Sequence, residues 1–297
     1  MSDVSAVHAN GADATIHDIG YRRYEGNLLG DFGSWRAVYW QGLRALFGFG
    51  RSAKSKVVPV FVLVMTLLPS LAMLTAATAS QGVMPIRYGQ LIGQQLILYV
   101  LFVAAQAPEI LSRDQQQRVL PLILTRQLTR NAYASARFAS LATALVVIIL
   151  APPLLMYIGE IGGAKDPSEV FERMGDKIWP ILAHTAIASW LIGGITAFFA
   201  ALTPRRAYAT AAIIGVFLVT TAIGAGVDEL SGAGSRVGEF MSPIRSLQRQ
   251  SMLLFGETDR SMDLNPPPPL RNYVLALTAV GAVFVGLYTW RIRRVRV

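Results

Sequence analysis

The sequence contains no cysteine and only three histidines, His8, His17 and His184, in 297 residues. Without cysteine there is no disulfide framework and no thiolate metal site. Histidines so widely scattered make no metal-ligating motif. Charged residues form 15% of the chain, well short of the roughly 25% of an ordinary soluble domain. Neither HExxH nor GxSxG occurs, and an intramembrane hydrolase would need a cluster of histidines and acids that the chain does not have. The first 31 residues hold no apolar run of signal-peptide type. The most informative absence lies inside the long apolar segments, which contain no Asp, Glu, Lys or Arg beyond their ends. Secondary transporters and proton pumps place such groups at mid-membrane as relays or ion ligands. His184 is the one ionisable residue well inside a segment, and a lone histidine there reads as a hydrogen-bonded link between helices. With no relay, active transport would have to draw its energy from outside this chain.

What is present is apolar surface. Hydrophobic residues make up 53% of the chain, and the mean hydropathy is +0.44. Six apolar segments, at 57–79, 91–107, 138–158, 178–202, 208–227 and 273–290, each come near the roughly 20 residues that cross about 30 Å of hydrocarbon. Pro69 interrupts the first and Pro152-Pro153 the third; neighbouring helices can re-satisfy the backbone groups that proline frees. The expected fold is an all-α membrane protein. A tail over 1–31 precedes an amphipathic helix and link over 32–56, and a six-span domain occupies 57–297. In Phe32 to Phe47, Trp35, Tyr39, Leu43 and Phe47 recur at helical spacing, with Trp40 beside them. The run is too short and too charged to span, and its tryptophans and tyrosine favour the headgroup layer, so it reads as a helix lying in the interface.

Charge fixes the expected orientation. With the N-terminus inside and six crossings, 18 of the 27 basic residues but only 7 of the 18 acids fall on one side, +11 against −2 on the other. Basic residues near the ends of short loops resist translocation, so both termini are expected in the cytoplasm. Two segments then face outward, an acidic one at 159–177 and a longer one at 228–272. The first is expected to form a short surface helix. In the second, Phe240, Ile244, Leu247, Leu254 and Phe255 give a partly amphipathic pattern ahead of the stiff run Pro266 to Pro269, predicting helices that cap the outer surface.

Two stretches carry motif-like patterns. Gly48-Phe49-Gly50-Arg51-Ser52-Ala53-Lys54-Ser55 comes close to a phosphate-binding loop, with Ala53 where its second glycine belongs. That loop needs a strand before it, and here an interfacial helix precedes it, so it reads as a basic link. The segment 109–137 holds five arginines (Arg113, Arg118, Arg126, Arg130, Arg137) against Glu109 and Asp114. Its middle, Val119-Leu120-Pro121-Leu122-Ile123-Leu124, is too apolar for a solvated connector and should lie against a membrane surface or a partner.

An interfacial helix before six spans, a basic loop between spans two and three, and a long outer segment before span six together resemble the permease subunit of type-2 ABC exporters. The loop EILSRDQQQRVLPLILTRQLTR is similar to that family's acid at the end of span two, basic–acidic pair and apolar stretch. The N-terminal HDIGYRRYEG also looks like a bacterial branch's opening. Gln127 stands where the family often has proline, and Thr125 and Thr129 where it has serine. The resemblance implies a chain without catalytic residues, paired with a second copy, a homodimer or else a heterodimer, and with two ABC ATPase subunits that bind ATP and magnesium. It places a coupling helix in the loop, with Glu109, Arg113, Asp114, Arg118 and Arg126 as polar contacts and Leu120, Leu122 and Leu124 as apolar anchors. Arg130 and Arg137 read as charge asymmetry alone. The implied substrate path lies between the two copies, along spans one, two and five, in a bacterial inner membrane. Uncharged span interiors favour amphiphilic or hydrophobic cargo over ions. The alternative is a membrane assembly or sensor protein that moves nothing.

Overall fold

The computed structural model describes residues 30–51, 53–80, 86–116, 128–162, 167–231, 236–258 and 266–294. Among them all regular structure is helical. A first helix, α1 (Asp31–Leu46), is followed by a 3₁₀ turn (Ala53–Lys56) and the first span, α2 (Val57–Ala79). Next come α3 (Tyr88–Ile110), the short α4 (Ser112–Gln116), α5 (Arg130–Gly162), α6 (Pro167–Leu202) and α7 (Arg206–Leu230). Two shorter helices, α8 (Val237–Met241) and α9 (Pro243–Leu254), precede the last, α10 (Leu270–Arg294). Six helices, α2, α3, α5, α6, α7 and α10, are long and apolar enough to cross a membrane. The protein is therefore a multi-pass membrane protein.

The second and fourth spans form the centre and the others stand around them. Leu96, Tyr99, Phe102 and Val103 of α3 and Leu191, Ile192 and Ile195 of α6 are fully or almost fully buried. By contrast α2 exposes Val60, Phe61, Leu68 and Leu71, and α7 exposes Leu218, Val219 and Ile223. Such exposure is costly in water but ordinary against lipid. Two polar side chains inside the bundle show how such groups are paired. Gln95 of α3 donates to the Thr66 carbonyl of α2 at 2.9 Å and accepts from the Tyr99 hydroxyl at 2.8 Å. Away from water such a group would otherwise be left costly and unsatisfied. His184 lies wholly buried in α6, its Nδ1 2.8 Å from Oε1 of Gln250 in α9, and so links two helices.

The alternation of spans brings the beginnings of α2, α5 and α7 to the same end as the finishes of α3, α6 and α10. Arg51, Arg113, Arg130, Arg206 and Arg293 gather there. We call this the basic end. The opposite end holds Glu160, Asp228, Glu239 and Glu257.

Two outer elements differ from expectation. Over 159–177 the described backbone continues α5 as far as Gly162 and opens α6 at Pro167, so what it describes there extends the neighbouring spans instead of forming a separate surface helix. The apolar segments mark only the hydrocarbon-crossing part of helices 33 and 36 residues long. The second difference is depth. Helix α9 does not rest on the surface; it sinks between α3, α6 and α10. Its buried face is largely polar (Ser246, Gln250, Ser251, with Leu247), and Ser251 donates to the Gly89 carbonyl at 2.8 Å.

Candidate functional site

The basic end is organised by two carboxylates. Glu109 sits in the last turn of α3 with only 6% of its side chain exposed. Arg51 meets its Oε2 at 2.6 Å and Arg113, one turn on, meets the same oxygen at 3.6 Å. Arg206, the first residue of α7, pairs with Oε1 and also donates to the Ala105 carbonyl at 3.3 Å. One carboxylate thus ties the link before the first span, α4 and the fifth span to the end of the second. Arg51 reaches it because the chain reverses after α1 through Gly48 and Gly50, at φ +73° and +77°. Only glycine takes that left-handed conformation without steric cost. No strand precedes this turn among the described residues, so the near phosphate-loop sequence serves here as a hinge between helices.

Asp114 makes the second centre, two residues after Ser112, which anchors α4 by donating to the Ala200 carbonyl at 2.7 Å. The Asp114 carboxylate accepts from Arg137 at 2.5 Å and from the Tyr133 hydroxyl at 2.7 Å. Arg137 donates through its other nitrogen to Gln41 of α1 at 2.6 Å, and its guanidinium lies 5.5 Å from the Tyr133 ring centre. This corrects the reading of Arg137 as a loop charge satisfying orientation alone. It stands in the second turn of α5, 2% exposed, where a charge needs a partner and has two. Arg130, by contrast, donates to the Arg293 carbonyl at the end of α10, closing the bundle at the sixth span.

Helix α1 is held on the bundle by the face that periodicity marked. Trp35 donates to Ser135 at 3.0 Å and Tyr39 to Thr143 at 3.1 Å, both in α5. The two aromatic rings stack at 5.4 Å. Leu43 and Phe47 turn inward against the core, with Phe47 6.3 Å from Phe102, while Trp40 stays about half exposed. At Gly42 the approach is so close that a Cβ would stand 2.6 Å from the Ser140 hydroxyl. Between α1 and the start of α4 opens a crevice of about 1070 Å³, with Trp40, Phe47 and Val147 on its apolar wall and Arg44, Arg51 and Arg113 on its polar one.

Of the residues singled out for coupling, Glu109, Arg113 and Asp114 are therefore brought together, the two acids turned inward and Arg113 half exposed. Arg118, Leu120, Leu122, Leu124 and Arg126 lie outside the described residues, as does His17 to Gly26. The sequence does not single out Arg51, Arg206, Tyr133 or Gln41 as members of this site. Only the i, i+4 spacing of Tyr133 and Arg137 hinted at a shared helix face. Among the described residues no group of three or more His, Cys, Asp or Glu could hold a metal.

No protein-family model matches the chain, and no curated protein matches it either. The reading of function accordingly rests on the residues. What they can do is mechanical and electrostatic: two inward-turned carboxylates hold five helices and a hinge together at the end where the two described flanks of the 109–137 segment lie.

Proposed function

We propose that the chain is the transmembrane permease subunit of an ATP-driven exporter of the type-2 ABC class, lying in a bacterial inner membrane with its basic end in the cytoplasm. Helix α1 rests in the inner interface, and the segment 109–137 is the coupling segment that a separate ATPase engages. The chain works as one of two copies and moves an amphiphilic or hydrophobic substrate. ATP and magnesium are bound by the partner ATPase.

The observation that carries this reading is the anchoring of the segment's two flanks. On the near side Glu109 and Asp114 are tied to the hinge, α1, α5 and α7; on the far side Arg130 is tied to α10. A push on a loop whose stems were free would be lost in bending. Here it reaches the ends of four spans and the amphipathic helix as a rigid-body displacement. Uncharged span interiors are compatible with this division of labour, since the energy arrives from a partner.

The test is a pull-down, in mild detergent, of the full chain with the ATP-binding subunit encoded beside it. The wild type should retain the ATPase, and a variant with Leu120, Leu122 and Leu124 all changed to serine should lose it while keeping its melting temperature. If the wild type retains none, the exporter reading falls.

A further inference from the structure

Charge around Glu109 does not balance. Two cavities, of about 540 and about 210 Å³, share Arg51, Glu109 and Arg206 in their walls; the larger adds Arg113, and the smaller adds Lys54 and Val58. Four cations face these cavities against one acid, an excess of three positive charges. Each guanidinium carries five N–H donors, more than the two oxygens of a single carboxylate can accept from three arginines. Arg113 and Arg206 keep 48% and 59% of their side chains exposed, so donors stay at the cavity surface. Glu109 acts as the post that holds the arginines in a fixed array. A concave surface of one sign concentrates anions, and arginine's planar fork matches phosphate geometry.

The surroundings select which phosphate. Lys54 lies just before α2, and Val58 of that helix's first turn lines the smaller cavity. From there Val57, Val60, Phe61, Val64, Leu68 and Leu71 recur at helical spacing, all exposed, along α2 away from the basic end. A phosphate bearing acyl chains uses both features, its headgroup on the cations and a chain along the stripe. Free phosphate uses only the first. Basic pockets between spans at a membrane surface hold anionic headgroups in this way. We propose that Arg51, Lys54, Arg113 and Arg206 form a socket for the phosphate headgroup of an anionic membrane lipid. The inference is independent of the exporter reading, because it needs no ATPase and no transport.

The experiment uses the full chain in an uncharged detergent. It is titrated separately with dioleoylphosphatidylglycerol, dioleoylglycerol and inorganic phosphate, and followed by native mass spectrometry and thermal melting. Phosphatidylglycerol should bind saturably and raise the melting temperature, while the other two at equal concentration should not. Lys54→Gln, a change at an exposed side chain with little bearing on folding, should weaken binding about fivefold, as should Arg206→Gln. Phosphatidylglycerol binding unmoved by Lys54→Gln and Arg206→Gln would overturn the socket. An equal effect of inorganic phosphate would overturn the lipid as occupant, and an equal effect of dioleoylglycerol would overturn the role of the cations.

Discussion

Arg137 and Asp114 show what a buried pair costs when one member is missing. The arginine side chain is 3% exposed and the aspartate 14%, so the arginine in particular has little water to fall back on. Removing one partner of such a pair typically costs about 3–5 kcal/mol, because the other is left charged and unpaired. Asp114→Ala should therefore destabilise the chain by about 3 kcal/mol in mixed-micelle unfolding. The double variant Asp114→Leu/Arg137→Met should recover a large part of that loss, and a double variant as unstable as the sum of the singles would contradict the pairing. The same geometry limits what Asp114 can report about a partner protein. Asp114→Arg would set two guanidiniums face to face under α1 and damage the fold itself. Arg113, half exposed and, among the described residues, held by a long contact to Glu109, is the cleaner probe of any external contact.

At the scale of elements, the second span is capped from a distance. Arg87, at the N-cap of α3, makes no side-chain capping bond; instead Glu257, beyond α9, accepts from the backbone N–H groups of Gly89 and Gln90, each at 2.9 Å. A carboxylate at a helix N-terminus satisfies free donors and meets the positive end of the dipole. Burial nonetheless pushes the Glu257 carboxyl above its ordinary value of 4.5, with the two N–H bonds opposing the shift. A carboxyl raised in the folded state binds more protons there than in the unfolded chain, so its contribution to stability grows as pH falls toward 4.5 and is lost as pH rises through the folded value. The melting temperature of the wild type, relative to that of Glu257→Gln, should rise on acidification from neutral pH. A difference independent of pH would show that this carboxyl does not titrate as described. Such a cap was invisible in the sequence, since 167 residues separate donor and acceptor. The depth of α9 was equally hidden. Its hydropathy marks a surface helix, whereas Ser251 and Gln250 are buried because Gly89 leaves room for one and His184 bonds the other. Hydropathy reads apolar faces well and reads satisfied polar faces as solvent.

Across the whole molecule, what was legible was the property each residue carries by itself: six spans, their order, the amphipathic helix and the segregation of charge. What was not legible was pairing. The charges of Arg51, Arg206 and Arg137 were counted correctly, but only the fold brings them to Glu109 and Asp114. The charge segregation yields a test that the composition makes unusually clean. Because the chain has no cysteine, a single introduced cysteine is the sole thiol, and labelling reports one position without background. Phe49, 61% exposed, lies in the turn at the basic end, and Leu230, 89% exposed, closes α7 at the other. Basic residues near span ends stay on the cytoplasmic side. In intact cells made permeable only at any outer membrane, a membrane-impermeant maleimide should therefore label Leu230→Cys at once. Phe49→Cys should react only after the inner membrane is opened. The reverse pattern would invert the protein in its membrane. It would also put the segment 109–137 out of reach of any cytoplasmic ATPase, and the exporter reading would fall with the topology. If both positions label in intact cells, the charge asymmetry does not orient the chain, and the basic end needs another explanation than the membrane it faces.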